Sequence, residues 1–357
     1  MIADTSTAAE VRHTKIRRIG ESQGRNSEVW LADDHQRGEE IVIKEIRIGA
    51  FAGAVEAYYK ESQTICAASG SHVVPLLYAG ATQTHVVLAM PIFPGGSLTD
   101  RIAQVPLTVR DVISLAQDVA AGLGAIHASG HVHLDLKPSN VLFDAGGRAH
   151  VADFGQALPV DSLGFADPAF ARLYSRSLPP EYLARRDLTR LSDVYQLGLV
   201  LYRAVNGEPW FQEGCPNQFA QLRQAIIDGR FPAREYLPHV PLRLRGIVNK
   251  ALDVNPANRY ESPAAVAKAV GAVSPAAADW AVTSYAPTEV HWRLERESEC
   301  ALEVRVYRHC DGDWRIEVWT CSPKGRRRRK ADWREGLKKT QAFSQLNGLF
   351  RKLSELQ

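Results

Sequence analysis

The chain has 357 residues, of which 45% are hydrophobic and 23% charged, a composition typical of an ordinary globular protein with about two domains. No run of about 18 apolar residues occurs, and the start of the chain lacks an apolar signal-peptide core, so we expect neither a membrane span nor export. The net charge of +3 conceals an asymmetry, because residues 321–340 carry nine Lys or Arg and two Asp or Glu. The five cysteines lack CxxC spacing, which indicates free thiols in a reducing cytoplasm.

The first part of the chain is predicted to be rich in strands. Residues 1–13 are predicted to be a disordered lead-in, and residues 14–93 contain strand-like runs such as EEIVIKEIRI and THVVLAM. One helical stretch, AGAVEAYYKESQTICAA at residues 52–68, interrupts them. The segment IGESQGRNSEVWLA places small residues where backbone amides could approach a phosphate, although a Gly/Ser turn in a hairpin is the commoner explanation of such a segment; the residues are Gly20, Ser22, Gly24 and Ser27.

Residues 94–271 are predicted to be mainly helical. In LTVRDVISLAQDVAAGLGAIHASG, apolar residues recur at alternating steps of four and three, which predicts a helix with one face in the core. Thr108 and Asp111 resemble a capping box at its start, and Gly130 stands where a helix would end. The residues of the apolar face are Val112, Ala116, Val119, Leu123 and Ile126.

The end of the chain differs in style. Residues 272–289 are rich in Ala, Ser and Pro and are predicted to be a linker. Residues 290–357 are predicted to form a separate small basic α+β domain, with a hairpin at CDGD and a final helix that presents Phe343, Leu346, Phe350 and Leu353 on one face. The run KGRRRRK, Lys324 to Lys330, is interpreted as a solvated loop, a site for an acidic partner protein, or a site for nucleic acid or another anionic surface.

The stretch HVHLDLKPSNVLFDAGGRAHVADFG carries the groups that phosphoryl transfer requires. Asp135 could accept or orient the proton of an acceptor hydroxyl, and Lys137 could neutralise charge on the transferred group. Asn140 and Asp153 offer the hard oxygen ligands that suit Mg²⁺. Upstream, Lys44 lies in an apolar strand, where it is a candidate phosphate partner.

With these residues the chain resembles a Hanks-type protein kinase of the bacterial Ser/Thr sort over about residues 15–272. The resemblance implies an α+β bilobal protein-kinase fold, with a β-rich N-lobe at about 14–93 and a helical C-lobe at about 94–271, followed by the small C-terminal α+β domain. The landmarks occur in family order, namely IVIK ending at Lys44, a helix glutamate at Glu61, HLDLKPSN, DFG at 153–155, PPE ending at Glu181, Asp193 in SDVYQLG, and Arg259 in NPANRY.

The resemblance also implies roles for single residues. Asp135 would be the catalytic base, assisted by Lys137 and Lys44, and Asn140 and Asp153 would bind magnesium. Glu61 would pair with Lys44, Glu181 would pair with Arg259, and Asp193 would support the catalytic loop. The residues implied to bind ATP are Gly20, Ser22, Gly24, Val29, Val42, Lys44, Glu61, Met90, Phe93 and Leu142, although core packing explains Val29, Val42 and Leu142 equally well.

Four departures from the family pattern affect these expectations. Ser22 and Ser27 replace two glycines of the phosphate loop, and Pro91 removes an amide hydrogen next to the predicted adenine pocket. Tyr174 stands where a threonine is frequent, and the neighbouring Ser175 could substitute for it. Leu134 stands where most members carry an arginine that grips a phosphate on the activation loop, so we predict that activity does not depend on such a phosphate.

The sequence therefore predicts a cytoplasmic, ATP- and Mg²⁺-dependent kinase that acts on Ser or Thr of proteins and carries a C-terminal recruitment module. One alternative is a nucleotide-binding pseudokinase scaffold with little or no turnover, which the altered glycine loop favours. Another is a small-molecule phosphotransferase, which the presence of Lys137 and of the PPE segment disfavours.

Overall fold

The computed structural model describes residues 12–19, 27–47, 70–168, 175–184, 187–273, 280–296 and 300–354. Within these ranges the chain forms a sheet lobe, a helical lobe, and a second sheet with one long helix packed on it. None of the described helices combines the length and the apolarity that crossing a lipid bilayer requires. The helix predicted at residues 52–68 and nearly all of the predicted lead-in lie outside the described residues.

The first sheet has five antiparallel strands in the order β1–β2–β3–β5–β4. In β3 the apolar side chains of Ile41 and Ile43 are fully buried, which fixes the strand against the core. The carboxylate of Asp34 accepts hydrogen bonds from the backbone N–H groups of Gln36 and Arg37 at 2.8 and 3.1 Å, which stabilises the turn between β2 and β3. The strands are β1 (His13–Ile19), β2 (Ser27–Asp34), β3 (Glu39–Arg47), β4 (Tyr78–Ala81) and β5 (His85–Met90).

The helical lobe is built around the long helix α2, and its predicted apolar face is confirmed because all five residues of that face are fully buried. Thr108 caps the helix by accepting a hydrogen bond from the backbone N–H of Asp111 at 3.2 Å, and Gly130 follows the end of the helix with φ +82°. The helices are α1 (Leu98–Arg101), α2 (Val109–Ala128), α3 (Pro180–Ala184), α4 (Arg190–Asn206), α5 (Glu208–Glu213), α6 (Phe219–Ile227), α7 (Leu242–Ala251) and α8 (Pro263–Gly271).

Two short two-stranded sheets follow α2. Strand β6 (His131–Val132) pairs with β9 (Leu158–Pro159), and β7 (Val141–Phe143) pairs with β8 (Ala149–Val151). The backbone N–H of Val151 donates to the carbonyl oxygen of His72 at 2.9 Å. That carbonyl lies so close to α2 that a Cβ on Gly122 would be only 2.3 Å from it, so the helix needs glycine there. The β7–β8 hairpin is thereby fixed between α2 and the sheet lobe.

The C-terminal sheet has the strand order β10–β11–β12–β13–β14, with β15 also paired to β13. The predicted hairpin at CDGD is confirmed, since His309 N donates to Asp313 O at 2.7 Å between β12 and β13. The predicted final helix is confirmed as α9 (Lys339–Ser354), with Leu346, Phe350 and Leu353 buried. The strands are β10 (Ala281–Ala286), β11 (Glu289–Glu295), β12 (Ala301–Arg308), β13 (Trp314–Ser322), β14 (Gly325–Arg328) and β15 (Arg334–Leu337).

Two sequence predictions in this region need correction. Residues 281–286, assigned to a linker, form strand β10, because the buried side chain of Val282 and the adjacent buried Trp280 anchor an otherwise small and polar segment. Most of the run KGRRRRK, interpreted as a loop, is instead strand β14, which pairs with the end of β13 in the register Trp319–Arg328 to Ser322–Gly325. Backbone pairing to a neighbouring strand overrides the local tendency of a charged run to stay irregular.

The C-terminal sheet and α9 share one continuous hydrophobic core with the helical lobe. The ring of Phe350 lies 4.8 Å from that of Trp280 and 6.3 Å from that of His239, which belongs to the segment before α7. On α5, Trp210 contacts the ring of Tyr285 at 6.3 Å. The unit predicted to be separate is therefore packed tightly against the helical lobe.

Candidate active site

The carboxylate of Asp193 fixes the loop between β6 and β7. This residue of α4 is fully buried, and its Oδ2 accepts hydrogen bonds from Nε2 of His127 at 2.7 Å and from the backbone N–H of His133 at 2.9 Å. Its Oδ1 accepts from the backbone N–H of Leu134 at 2.8 Å. Burial alone would raise the pKa of this carboxyl, but these hydrogen bonds and the nearby imidazoles lower it below its usual value. Asp193 is thus an ionised anchor for the loop.

Gln196, three residues later on α4, is a second anchor that the sequence prediction missed. Its Oε1 accepts a hydrogen bond from the backbone N–H of Leu136 at 3.0 Å. Its Nε2 donates to the carbonyl oxygens of Leu134 at 2.7 Å and Ser177 at 3.1 Å. A polar residue three positions after Asp193, on the same face of an apolar helix, is the signal that could have identified it.

Asp135 lies in this loop with its side chain almost fully buried. Its Oδ2 accepts hydrogen bonds from Nζ of Lys137 at 2.8 Å and from Nδ2 of Asn140 at 3.1 Å. Its Oδ1 is buried and has no hydrogen-bond partner among the described residues. Burial raises the pKa of this carboxyl, and the Lys137 ammonium opposes that shift. Because an unpaired buried oxygen is unfavourable, a donor from a bound ligand would stabilise it.

Lys44 on β3 forms an ion pair with Asp153, which follows β8, with Nζ 2.6 Å from Oδ1. Burial alone would raise the pKa of Asp153, but the charge and hydrogen bond of Lys44 lower it well below its usual value. Lys137 lowers it further, and Asp153 in turn raises the pKa of Asp135, so the two charged pairs lie close together. Asp153 adopts φ +64°, in the left-handed region that is uncommon for non-glycine residues.

Asn140 and Asp153, the predicted metal ligands, are neighbours at the end of the β7–β8 hairpin. Val141 pairs with Val151, and the backbone N–H of Ala152 donates to the carbonyl oxygen of Asn140 at 2.9 Å. Because Nδ2 of Asn140 donates to Asp135, the amide oxygen of Asn140 points away from that carboxylate. Amide and carboxylate oxygens are hard ligands, so this donor set fits Mg²⁺.

Apolar side chains lie on both sides of the junction between the lobes. Val42 on β3 pairs with Met90 on β5. The backbone N–H of Gly95 donates to the carbonyl oxygen of Phe143 at 2.9 Å, which brings the segment after β5 onto β7. Half-burial of apolar side chains on opposing elements is typical of a cleft lining. The half-buried residues from the predicted adenine pocket are Val29, Val42, Met90, Phe93 and Leu142.

Four predicted site residues cannot be placed in this way. Gly20, Ser22 and Gly24 of the predicted phosphate loop lie outside the described residues. The same holds for Glu61, the predicted partner of Lys44. Their assignments remain predictions.

Leu134 is fully buried in an apolar cluster with Val132, Ala166 and Leu188. It has φ +61°, and Gln196 and Asp193 hold its backbone as described above. The backbone N–H of Ala166 donates to the carbonyl oxygen of Leu188 at 2.9 Å. The segment that follows DFG is therefore held by backbone pairing and apolar contacts around Leu134.

The predicted pair of Glu181 and Arg259 is confirmed as a buried bidentate ion pair. Oε1 of Glu181 accepts from NH1 of Arg259 at 2.9 Å, and Oε2 accepts from NH2 at 2.6 Å. Ser192 on α4 also donates to Oε1 at 2.8 Å. This network fixes α3, which carries the PPE segment, to the core of the helical lobe.

Comparison with known proteins gives a consistent result. Residues 13–270 match the family model described as protein kinase domain. The chain is 27% identical over 259 residues to serine/threonine-protein kinase PknA of Mycobacterium tuberculosis, covering 70% of this chain and 59% of that protein.

Two further relatives come from other species. The chain is 28% identical over 284 residues to serine/threonine-protein kinase pkn2 of Myxococcus xanthus, covering 76% of this chain and 34% of that protein. It is 29% identical over 251 residues to serine/threonine-protein kinase PknB of Mycobacterium leprae, covering 68% and 40%. The chain thus spans at most 59% of the length of these three relatives.

Proposed function

Because the chain belongs to the protein kinase family, we propose that it transfers the γ-phosphoryl group of ATP to serine or threonine hydroxyls of proteins. One observation supports this most strongly. The buried Asp135 carboxylate is bonded to Lys137 and Asn140, and the backbone of Asn140 is bonded to Ala152, which immediately precedes Asp153 of the Lys44–Asp153 ion pair. Phosphoryl transfer requires a proton acceptor, a cation beside the transferred group and oxygen ligands for a metal ion, and all three are close together here.

The proposed reaction uses the unpaired oxygen of Asp135. The substrate hydroxyl donates to Oδ1 of Asp135, its oxygen forms a bond to the γ-phosphorus, and the bond to the β–γ bridging oxygen breaks, so that ADP leaves. The hydroxyl proton passes to the Asp135 carboxylate, whose raised pKa makes it a better proton acceptor. Lys137, with Nζ 2.8 Å from Oδ2 of Asp135, supplies positive charge beside the transferred group.

The other predicted site residues would bind the nucleotide and its metal ion. Lys44 would contact the phosphates of ATP, and its ion pair with Asp153 keeps it in the cleft until then. Asn140 and Asp153 would hold Mg²⁺, which supplies neutralisation of phosphate charge when bound. Val29, Val42, Met90, Phe93 and Leu142 would enclose the adenine, and Gly20, Ser22, Gly24 and Glu61 would complete the phosphate side.

We further propose a division of labour along the chain. Residues 14–271 would form the catalytic unit, and the sheet that begins at β10 together with α9 would recruit protein partners. The charge of residues 321–340 supports recruitment, because this segment contains nine basic residues and only two acidic ones. A cytoplasmic location is supported by the free thiols of Cys215, Cys300, Cys310 and Cys321, since free thiols persist in reducing compartments.

Transfer of radiolabel from ATP tests the catalytic proposal. The chain with Mg²⁺ is expected to label itself or a generic basic protein on serine or threonine, and a metal chelator should abolish labelling. Asp135→Asn should reduce the rate by about 10² to 10⁴-fold, because the amide cannot accept the proton. Asp144→Asn, at an exposed turn, is the matched control and should leave the rate unchanged. Labelling that persists in Asp135→Asn would refute the assignment.

The pseudokinase alternative predicts a different outcome of the same experiment. It would give no labelling, while ATP still raises the melting temperature of the chain. No feature of the described site favours this alternative, because Lys44, Asp135, Asn140 and Asp153 are all present and Lys44 contacts Asp153 directly.

A further inference from the structure

We propose that strand β14 at the edge of the C-terminal sheet binds an extended acidic segment of a partner protein, which adds to the sheet as a further strand. In the strand order β10–β11–β12–β13–β14, β14 is the last strand. All four of its residues, Gly325–Arg328, are exposed. An exposed edge strand offers unpaired backbone groups to another extended chain.

The backbone of β14 presents two residues toward this edge. The backbone N–H of Arg329 donates to the carbonyl oxygen of Val318 at 2.9 Å, so Arg329 faces β13. In an antiparallel pair, residues that face the partner alternate with residues that face away. Arg326 and Arg328 lie three and one positions before Arg329, so their N–H and C=O groups point outward, where an added strand would bind.

The arginine side chains on one face of β14 are held in place. The guanidinium of Arg326 lies 3.7 Å from the ring centroid of Trp319, and that of Arg328 lies 3.7 Å from the ring centroid of Trp333. The two indole rings contact each other edge to face at 5.5 Å. Because these contacts already restrict the arginines, less side-chain entropy is lost when a partner binds.

The charge of this edge favours an acidic partner. Asp332, the acidic residue nearest in sequence, is buried and already accepts hydrogen bonds from Arg329 and Lys352, each at 2.9 Å. Arg327 has no ion-pair partner among the described residues, and its exposed side chain lies on the opposite face of the strand from Arg326 and Arg328. Arg326 already pairs with Glu303 on β12, with NH2 2.7 Å from Oε2, so among the described residues the positive charge without an ion-pair partner lies on Arg327 and Arg328. Carboxylates directly across from these two arginines would form favourable cross-strand pairs, whereas a basic or neutral strand would not.

The same contacts disfavour nucleic acid as the partner. Binding of single strands relies on bases that stack on aromatic side chains. Here one face of each of Trp319 and Trp333 is covered by a guanidinium, and Nε1 of Trp333 donates to the carbonyl oxygen of Val318 at 3.0 Å. Nucleic acid also could not use the outward backbone groups of Arg326 and Arg328 as a paired strand does.

Fluorescence anisotropy with the full chain and without ATP tests the proposal. The probe is the labelled peptide Val-Thr-Glu-Glu-Glu-Thr-Val. Its first control has lysines in place of the glutamates, and its second has the same sequence with every second amide N-methylated, which keeps the charge but prevents strand pairing. The acidic peptide is expected to bind, the lysine peptide not to bind, and the methylated peptide to bind at least about tenfold more weakly.

Variants separate the charge of β14 from its backbone. Arg327→Glu should weaken binding of the acidic peptide at least about tenfold, since it places a like charge opposite the glutamates. Arg328→Ala and Arg328→Pro remove the same side chain, but only the proline removes the outward N–H. We therefore expect binding to Arg328→Pro to be weaker than binding to Arg328→Ala.

Three results would overturn the proposal: no binding of the acidic peptide, equal binding of the methylated peptide, or tighter binding of an oligothymidylate than of the peptide. The third result would indicate a nucleic-acid surface. Radiolabel transfer to the generic basic protein is measured in parallel with Arg327→Glu and is expected to be unchanged. Weaker peptide binding by Arg327→Glu with intact transfer would support the site, whereas an unaltered chain that transfers label but does not bind the acidic peptide would reject the site without affecting the proposed kinase activity.

Discussion

The indole Nε1 of Trp292 donates a hydrogen bond to Nδ1 of His239 at 3.1 Å, and both side chains are buried. Trp292 lies on β11 of the C-terminal sheet, and His239 precedes α7 of the helical lobe. This buried polar contact helps to fix how the two surfaces fit together, since separating them inside the core would leave Nε1 of Trp292 and Nδ1 of His239 without a partner, as Nε2 of His239 already is among the described residues. The C-terminal sheet is therefore joined to the helical lobe by a specific buried contact as well as by apolar packing.

Trp292→Phe is expected to lower the free energy of unfolding by about 1–3 kcal/mol, because it leaves Nδ1 of His239 buried without a donor. Urea denaturation at neutral pH measures the change. Trp319→Phe is the matched control, since Trp319 lies on the opposite face of the same sheet and is only half-buried. If both variants lost the same stability, loss of aromatic area rather than of the hydrogen bond would be the cause.

His239 should make the stability of the chain depend on pH. Burial, assisted by the positive charge of Arg245, lowers the pKa of His239 to about 3. The unfolded chain binds a proton on this imidazole below about pH 6.5, whereas the folded chain does so only near pH 3. The free energy of unfolding should therefore fall as the pH decreases through this window, by at most about 1.4 kcal/mol per pH unit from this residue.

His239→Asn isolates this contribution, because its Oδ1 can still accept from Trp292 but does not titrate. Denaturation curves of both chains between pH 7 and about pH 5, above the range in which most carboxylates titrate, measure the difference. The wild-type chain should lose more stability than the variant over this interval. Parallel curves would show that His239 is protonated in the folded state.

The burial of Leu134 predicts that turnover is not regulated by a phosphate on the segment between DFG and PPE. Its apolar cluster with Val132, Ala166 and Leu188 occupies the place where a phosphate-binding arginine would act. Phosphatase treatment should therefore leave turnover unchanged. Leu134→Arg should strongly destabilise the chain, because it buries an unpaired cation, whereas the volume-conserving Leu134→Met should change stability by less than about 1.5 kcal/mol. A large loss of turnover after dephosphorylation, traced to a residue between DFG and PPE, would contradict this prediction.

The sequence predicted those helices whose apolar residues form a regular pattern within a single element. The apolar faces of α2 and α9 were predicted because each face repeats within one element. Strand β10 was missed because its small polar residues resemble a linker, and only the burial of Trp280 and Val282 against distant residues explains it. Strand β14 was missed because its stability comes from pairing with β13, which a run of arginines does not reveal.

In the candidate site, too, residues that are close together in sequence were predicted, and a residue whose partners are distant in sequence was not. Asp135, Asn140 and Asp153 could be identified from spacing, because they lie within one short segment. Gln196 was missed, since its partners at Leu136 and Ser177 are distant in sequence and meet only in the folded chain. Polar residues that act through backbone contacts leave little trace in a sequence motif.

Gln196→Glu should separate positioning of the loop from binding of the nucleotide. The substitution keeps the shape but removes both N–H donors, so the carbonyl oxygens of Leu134 and Ser177 lose their partner and face a carboxylate. We expect kcat to fall at least about tenfold with the KM for ATP unchanged, since Gln196 contacts the loop and not the cleft lining. Gln221→Glu, on an exposed position of α6, is the charge-matched control and should retain full kcat. A proportional rise in the KM for ATP would instead show that the substitution distorts the whole cleft.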